Sequence, residues 1–295
     1  MKVKLFVFSD VHGQYEALQA SLREAGYNPN DKTHRLLSIG DNFDRGRQSL
    51  QLYKMLQSRN AICVKGNHET FLEEALEKGM DGEFVLFNFL RNGLDKTIQS
   101  FARFDFPSVV DPKTIDNAIR EINCNFPDML KWLKNMPLFY ETKNYIFVHA
   151  GLHPYKPLEV AKADPDFCLW DIEFSHLPME CTPKTVVIGH HHAFRVRQHA
   201  LEAGYCEEPL RLPCYGNTDE HRPVRIGNKI AIDPCSNYTG KVNVLVIEDE
   251  LLEEVKEKAP KTEPNTFTGL SFDEFDPGIA TWQYTTTTNA TVRFR

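Results

Sequence analysis

The chain has 295 residues, 41% hydrophobic and 25% charged, with 17 Pro and 16 Gly, which excludes collagenous, coiled-coil and disordered classes. Lys and Arg total 34 against 41 Asp and Glu, so the net charge of -7 offers no diffuse basic field, and nucleic acid is not expected as a partner. No apolar run reaches the ~20 residues of a membrane span, and Met1-Lys2 leads into a strand-like segment without a signal-peptide pattern, so no membrane contact and a cytoplasmic location are expected.

Short apolar runs bounded by turn residues predict strands at Lys4 to Ser9, Arg35 to Ile39, Ala61 to Lys65, Tyr145 to Val148, Thr185 to Ile188, Lys229 to Ile232 and Val242 to Ile247. Their near-continuous hydrophobicity fits sheets covered on both faces. Between the first two strands, Tyr15, Leu18, Leu22 and Ala25 recur at helical spacing, and Gly26 marks the stop. Further helices are predicted over Gln48 to Gln57 and Thr70 to Lys78, giving an α/β chain. Residues 84–135 read as a helical insertion broken by Pro107, Pro112 and Pro127, lying over one sheet edge. Residues 193–222, with Gly204, Pro209, Pro213 and Gly216, read as a loop insertion. Residues 251–295 form a C-terminal extension of linker-like composition with a Thr-rich, strand-like end; its role is not readable.

The seven cysteines, Cys63, Cys124, Cys168, Cys181, Cys206, Cys214 and Cys235, are odd in number and lack any C-x-x-C pair. Reduced, mostly buried thiols are expected, with neither disulfide framework nor thiolate zinc site.

Five strand-like runs end in polar clusters: Asp10-Val11-His12-Gly13, Asp41-Asn42-Phe43-Asp44-Arg45-Gly46, Asn67-His68-Glu69, His149-Ala150-Gly151 and His190-His191-His192. In α/β sheets the carboxyl ends of strands share one crevice, so these groups are expected to converge. Each cluster alone would suit an ordinary turn; five together point to a site. Carboxylate, amide oxygen and imidazole without thiolate suit Mn, Fe, Zn or Mg. Asp10, His12, Asp41, Asn67, His149 and His190 are more donors than one ion needs, so two divalent ions are expected, Mn2+ first and Fe, Zn, Mg or Ni as alternatives.

The motifs D-x-H-G, G-D-x-x-D-R-G, G-N-H-E, H-A-G and G-H, in this order, resemble the calcineurin-like metallophosphoesterases. The G-N-H-E form, Arg45, and Asn92-Gly93 followed by Thr97 and Ser100-Phe101 resemble most the bacterial and phage serine/threonine protein phosphatase branch. The resemblance covers about Lys4 to Glu248. It implies a four-layer α/β/β/α sandwich of two mixed sheets, with residues 1–250 forming one metallophosphoesterase domain.

It further implies that Asp10, His12 and Asp41 hold the first ion and that Asp41, Asn67, His149 and His190 hold the second. His68 would be the general acid for a metal-activated hydroxide, oriented by Asp44, while Arg45, with Asn67 and Asn92, would contact substrate. An imidazolium needs a carboxylate partner and a guanidinium matches phosphate bidentately, so the residue types suit those roles.

Two departures stand out. Where this branch carries a second phosphate-binding arginine after Leu-Trp, the chain reads Leu169-Trp170-Asp171-Ile172-Glu173; Arg195 and Arg197 are candidate substitutes, or solvated loop arginines. Gly189-His190-His191-His192 has the G-H-x-H form of phosphodiesterase-like and nucleotidase-like members, in which the second histidine reaches the first metal. His192 is therefore a candidate further ligand, and His191 is expected to pack or hydrogen-bond. Asp233 is expected to serve a turn before Pro234. His34, His153, His176, His199 and His221 have no such context, and Trp132, Trp170 and Trp282 read as packing residues.

The expected function is hydrolysis of phosphate monoesters, foremost phosphoserine or phosphothreonine in proteins. The alternatives are a dinucleoside polyphosphate hydrolase, nucleotidase or phosphodiesterase acting on a small phosphorylated or nucleotide substrate, and, more remotely, a non-catalytic binding scaffold.

Overall fold

Alternation along the strands assigns each side chain to a layer. In the computed structural model, which describes residues 2–103, 105–106, 109–206, 218–252 and 292–293, strand β1 spans Lys2–Phe8. Leu5 and Val7 point to one face of it, and Phe6 and Phe8 to the other. The further strands are β2 (His34–Ser38), β3 (Ile62–Cys63), β4 (Val109–Val110), β5 (Phe139–Glu141), β6 (Tyr145–Val148), β7 (Thr185–Ile188), β8 (Val224–Ile226), β9 (Lys229–Ala231), β10 (Leu245–Glu250) and β11 (Val292–Arg293).

Two mixed sheets result. The first has the order β10-β1-β2-β3, with β1, β2 and β3 parallel and β10 antiparallel. The second has the order β5-β6-β7-β9-β8, with β6, β7 and β9 parallel and the edge strands antiparallel. Val109–Val110 and Val292–Arg293 pair separately.

Three apolar clusters define the layers. Val3, Leu5, Val7, Leu37 and Ile39 of the first sheet meet Phe147, Val187, Ile230 and Ile232 of the second, each fully buried side chain contributing about 1.5–3 kcal/mol. Phe6, Phe8 and Leu36 face outward onto helices Tyr15–Glu24, Ser49–Ser58 and Asn67–Lys78. Ile146, Val148, Val186 and Ile188 face the other way, onto helix Ala193–Glu202 and its neighbours. The order is helix, sheet, sheet, helix.

The region 84–135 is helical, over Val85–Arg91, Leu94–Ala102, Pro112–Asn125 and Met129–Lys134. Its Ile98, Ile115, Ile119 and Leu133 join the cluster of Phe6 and Phe8, and its helices pack against Ser49–Ser58 and Asn67–Lys78, which cover the first sheet.

Other expectations need correction. The stretch expected as loop from residue 193 begins with helix Ala193–Glu202, because Ala193, Val196, Arg197 and Ala200 recur at helical spacing and are buried; the loop-forming Gly204 lies beyond it. Residues 207–217 of that expected loop, with Cys214, and most of the extension, with Trp282, lie outside the described residues. Helix Asn67–Lys78 starts three residues before the predicted Thr70, since Glu69 accepts the Gly66 N–H at 2.8 Å and closes the first turn. The last predicted strand is displaced to Leu245–Glu250 because antiparallel pairing carries it to the start of β1, with Lys2 opposite Glu250. Of the six described cysteines only Cys63 and Cys168 are buried.

The parallel strands all leave their sheets at one rim. At the opposite rim Asp249 clips the two sheets together. It accepts from Thr142 Oγ1 at 2.7 Å, the Asn144 N–H at 2.9 Å and Asn144 Nδ2 at 2.6 Å, all from the turn between β5 and β6.

Candidate metal centre

Each strand of the first rim turns sharply just past its end, and those turns present the polar groups. Asp10, His12, Asp41, Asp44, Arg45, His190 and Cys235 adopt left-handed backbone with φ between 46° and 68°, a conformation that costs non-glycine residues about 1–3 kcal/mol each. The turns are stitched together: Asp10 N–H donates to the Gly40 carbonyl, His12 N–H to Asp41, Gly13 N–H to Asn42, and Gly189 N–H to His149.

Glu69 holds the centre of this network, and motif reading leaves it without a role. Fully buried, it accepts from Asp41 N–H and Gly66 N–H through Oε2, and from Asn42 N–H and Nδ2 through Oε1. The signal for it is its place three residues after Gly66, where a helix-capping acid belongs.

Two imidazoles are fixed as acceptors. His12 Nδ1 lies 2.8 Å from the Phe43 carbonyl and His149 Nδ1 2.9 Å from that of Ile39, so each Nδ1 donates and each Nε2 turns a lone pair inward. His149 Nε2 stands 3.0 Å from Asn67 Oδ1 and 3.3 Å from Asp41 Oδ1; His190 Nδ1 stands 3.2 Å from Asn67 Oδ1. His12 Nε2 and His68 Nε2 lie 3.7 and 3.8 Å from Asp41 Oδ2. Acceptors facing acceptors at such spacings fit pairs of donors about 2.1 Å from a shared cation. Asp41 belongs to two such groups, one with His12 and His68 and one with His149 and His190, as a bridging carboxylate would.

Burial dominates the electrostatics of these groups. Burial, then the Asp10 and Glu69 carboxylates, push Asp41 well above the usual carboxylate range. Burial also raises Asp10. Burial, and then Arg45 for His12 and His149 for His190, hold those imidazoles well below their ordinary range, in the neutral form a cation requires. The donor set fits two divalent ions.

Asp10 is oriented differently from the other donors. Its carboxylate accepts from Ser9 Oγ and, at 3.0 Å, from the His190 N–H. His68 lies close to His12 and Asp41 as well.

Beside the donors, His68 Nδ1 is 2.7 Å from Asp44 Oδ2, and Asp44 Oδ1 accepts from Thr97 Oγ1 at 2.7 Å. Burial raises Asp44 and lowers His68, each away from its charged form. His68 Nε2 accepts from Arg45 Nη2 at 3.2 Å. The Arg45 N–H donates to the Gly93 carbonyl at 3.1 Å, and a Cβ on Gly93 would lie 2.3 Å from that nitrogen. Asn92 itself turns away, donating to Asn88 Oδ1.

Of the two candidate arginines, Arg197 is held away from any clamp by its own buried ion pair. Arg197 is wholly buried, with Nη1 3.1 Å from Glu220 Oε2, and the Arg195 guanidinium lies 5.7 Å from the Phe194 ring. Asp171, where the arginine would stand, is buried, with one oxygen accepting from the Phe174 N–H and the other without a hydrogen-bond partner; burial pushes its carboxyl up to about 6. His191 bonds to Ser175 Oγ at 2.7 Å, away from the donors. His192 Nε2 lies 3.9 Å from Asp233 Oδ2. Trp170 packs against His190 and Phe71, and Phe71 against His68.

Residues 3–204 match the calcineurin-like phosphoesterase family. Over 82 residues the chain is 42% identical to serine/threonine-protein phosphatase 2 of Escherichia coli, covering 28% of this chain and 36% of that one. Over 174 residues it is 26% identical to the symmetrical bis(5'-nucleosyl)-tetraphosphatase of Dechloromonas aromatica, covering 55% and 52%. The matches thus span about a third to a half of these relatives' lengths. Among solved structures, the cold-active protein-tyrosine phosphatase of a psychrophilic Shewanella species aligns at 15% identity over 85% of this chain and 80% of that one, with a TM-score of 0.41.

Proposed function

The chain belongs to the calcineurin-like phosphoesterase family, and from that membership we propose that it is a metal-dependent phosphatase of phosphate monoesters, with phosphoserine or phosphothreonine in proteins as the leading substrate class. The observation that carries this reading is the Asp44–His68–Arg45 array set against the Asp41 donor groups. Asp10, His12 and Asp41 would hold one divalent ion, and Asp41, Asn67, His149 and His190 the other, Mn2+ first among the candidates. When bound, two such ions supply Lewis acidity and lower the pKa of a water.

The chain's own groups account for the rest. Arg45, exposed at the rim, is placed to grip phosphate oxygens. Engaging a phosphate would draw its guanidinium from His68 Nε2, and that freed nitrogen would take up a proton from solvent and pass it to the leaving oxygen, returning the ring to its neutral form. Asp44 holds the ring in place through Nδ1, and Thr97 holds Asp44. Glu69 keeps the Asp41 turn and the Asn67 helix in register.

A second reading has its own support. An acid at Asp171 in place of a second arginine, and the G-H-x-H run ending at His192, depart from the protein-phosphatase pattern toward members that act on small nucleotides such as a dinucleoside tetraphosphate, the substrate that names the Dechloromonas relative. Turnover of a phosphoserine peptide, diadenosine tetraphosphate and bis-p-nitrophenyl phosphate, measured side by side with Mn2+, separates the two. Preference for the peptide is expected; turnover of the diester alone would refute the protein-phosphatase reading, and no turnover with any divalent metal would point to a binding scaffold.

A further inference from the structure

Phe71 is a large apolar side chain that the apolar cores do not absorb. It is only partly buried and joins none of the three clusters, whereas Leu72 and Leu76 of the same helix turn into the first. Helical spacing puts it one turn past Asn67 and His68, whose side chains face the Asp41 donor groups. Its ring meets the His68 imidazole edge to face with centroids 4.9 Å apart, and the Trp170 indole at 5.9 Å. Trp170 in turn meets the His190 imidazole at 6.1 Å. An arc of rings thus runs from the candidate general acid to a donor of the second group.

Its place beside His68 decides what Phe71 would touch. A general acid stands about 3 Å from the oxygen it protonates, so the atoms bonded to that oxygen come within reach of the ring packed on the acid. In a phosphoserine those atoms are a methylene and then backbone, with no flat surface to offer. In a phosphotyrosine they are an aryl ring, which gains from edge-to-face or offset contact with another ring beyond what burial supplies. In a dinucleoside tetraphosphate the leaving oxygen is bonded to phosphorus and the base lies beyond a ribose, out of that reach.

We propose that Phe71, backed by Trp170, is a specificity-determining residue that favours a leaving group with an aromatic ring on the departing oxygen, phosphotyrosine over phosphoserine among protein substrates. The inference rests on His68 as the general acid and extends the monoester reading to aryl esters. In the reaction the aryl O–P bond breaks, the oxygen of water joins phosphorus, and the aryl oxygen departs as the phenol with the proton carried by His68.

Two peptides identical but for phosphotyrosine or phosphoserine at one position, turned over with Mn2+, test it. Phe71→Leu, which keeps an apolar side chain without the ring, should lower the ratio of kcat/KM for the phosphotyrosine peptide over the phosphoserine peptide about three- to tenfold, the worth of one ring pair. Phe71→Tyr keeps the ring and should restore the wild-type ratio. An unchanged ratio in Phe71→Leu, whether both rates fall or neither does, would reduce Phe71 to a packing neighbour of His68 and overturn the proposal. Competitive inhibition of the wild type gives an answer without any variant: phenylphosphonate should bind about threefold or more tightly than methylphosphonate, and equal inhibition would overturn the proposal. A wild type that turns over only the phosphoserine peptide would overturn it alone. Turnover of neither peptide with any divalent metal would refute the phosphatase reading, and this inference with it.

Discussion

Asp41 and Asp249 are buried to the same degree, 2% and 3% exposed, at opposite rims of the same pair of sheets, yet their environments push them in opposite directions. Asp249 loses hydration, which alone would raise it, but the hydrogen bonds from Thr142 and Asn144 outweigh burial and hold it below the usual range. Asp41 receives backbone N–H groups too, from His68 at 3.0 Å, but it faces Asp10 and Glu69, and burial dominates. A carboxylate closed off by donors is structural. One left facing lone pairs could hold a cation.

The sharpest test of that contrast is Asp41→Asn. Hydrolysis of p-nitrophenyl phosphate with Mn2+ should fall on the order of 10³-fold or more, the scale of removing a principal electrostatic stabiliser. The metal-free variant should melt at or above the wild-type temperature, because a poorly compensated buried charge has gone. Added Mn2+ should then raise the melting temperature of the wild type only. A metal-free variant that melts well below wild type would show that Asp41 is a structural residue like Asp249.

The next effect is smaller and depends on the substrate. If His68 protonates the leaving oxygen, His68→Asn should slow a phosphoserine peptide by about 10²–10⁴-fold, the range for general acid catalysis. p-Nitrophenyl phosphate, whose phenolate leaves without a proton, should lose less. Equal losses on both would assign His68 to binding.

How much of this was legible in the sequence follows from the range over which each interaction acts. The strand-end donors are legible because the site places polar residues directly after apolar runs, a pattern visible within ten residues. The layers are legible for the same reason, as alternation in β1 sorts Phe6 from Leu5. Helix Ala193–Glu202 is hidden because its apolar stripe of Ala193, Val196 and Ala200 is thin, and Gly204 and the prolines beyond dominate the window. The burial of Arg197 depends on Glu220, 23 residues on, and the Asp249 clip joins positions more than 100 residues apart; no local pattern announces either. Edge strands β5 and β8 are three residues long, below what alternation can mark.

Gly93 links the two kinds of signal, since Asn92-Gly93 is visible as a turn while its service to Arg45 is not. Gly93 has φ 83°, and a Cβ there would meet the Arg45 backbone. Gly93→Ala should raise KM about tenfold, equivalent to roughly 1.4 kcal/mol, with a smaller change in kcat, as loss of phosphate grip implies. An unchanged KM would detach Arg45 from substrate binding.

The smallest expected effect tests the other rim. Asp249→Asn keeps the shape but puts an amide N–H against donors, which should cost about 1 kcal/mol of stability at pH 7 while leaving kcat and KM unaltered. The pH dependence has a definite sign. Because the folded-state pKa of Asp249 is depressed, its contribution is complete above the unfolded value of about 4 and disappears as pH falls through the lower folded value. Urea denaturation should therefore show the gap between wild type and variant as constant from pH 7 to about 5 and closing below 4. A gap that widened on acidification would mean that Asp249 is raised like Asp41, and the contrast between the two rims would fail.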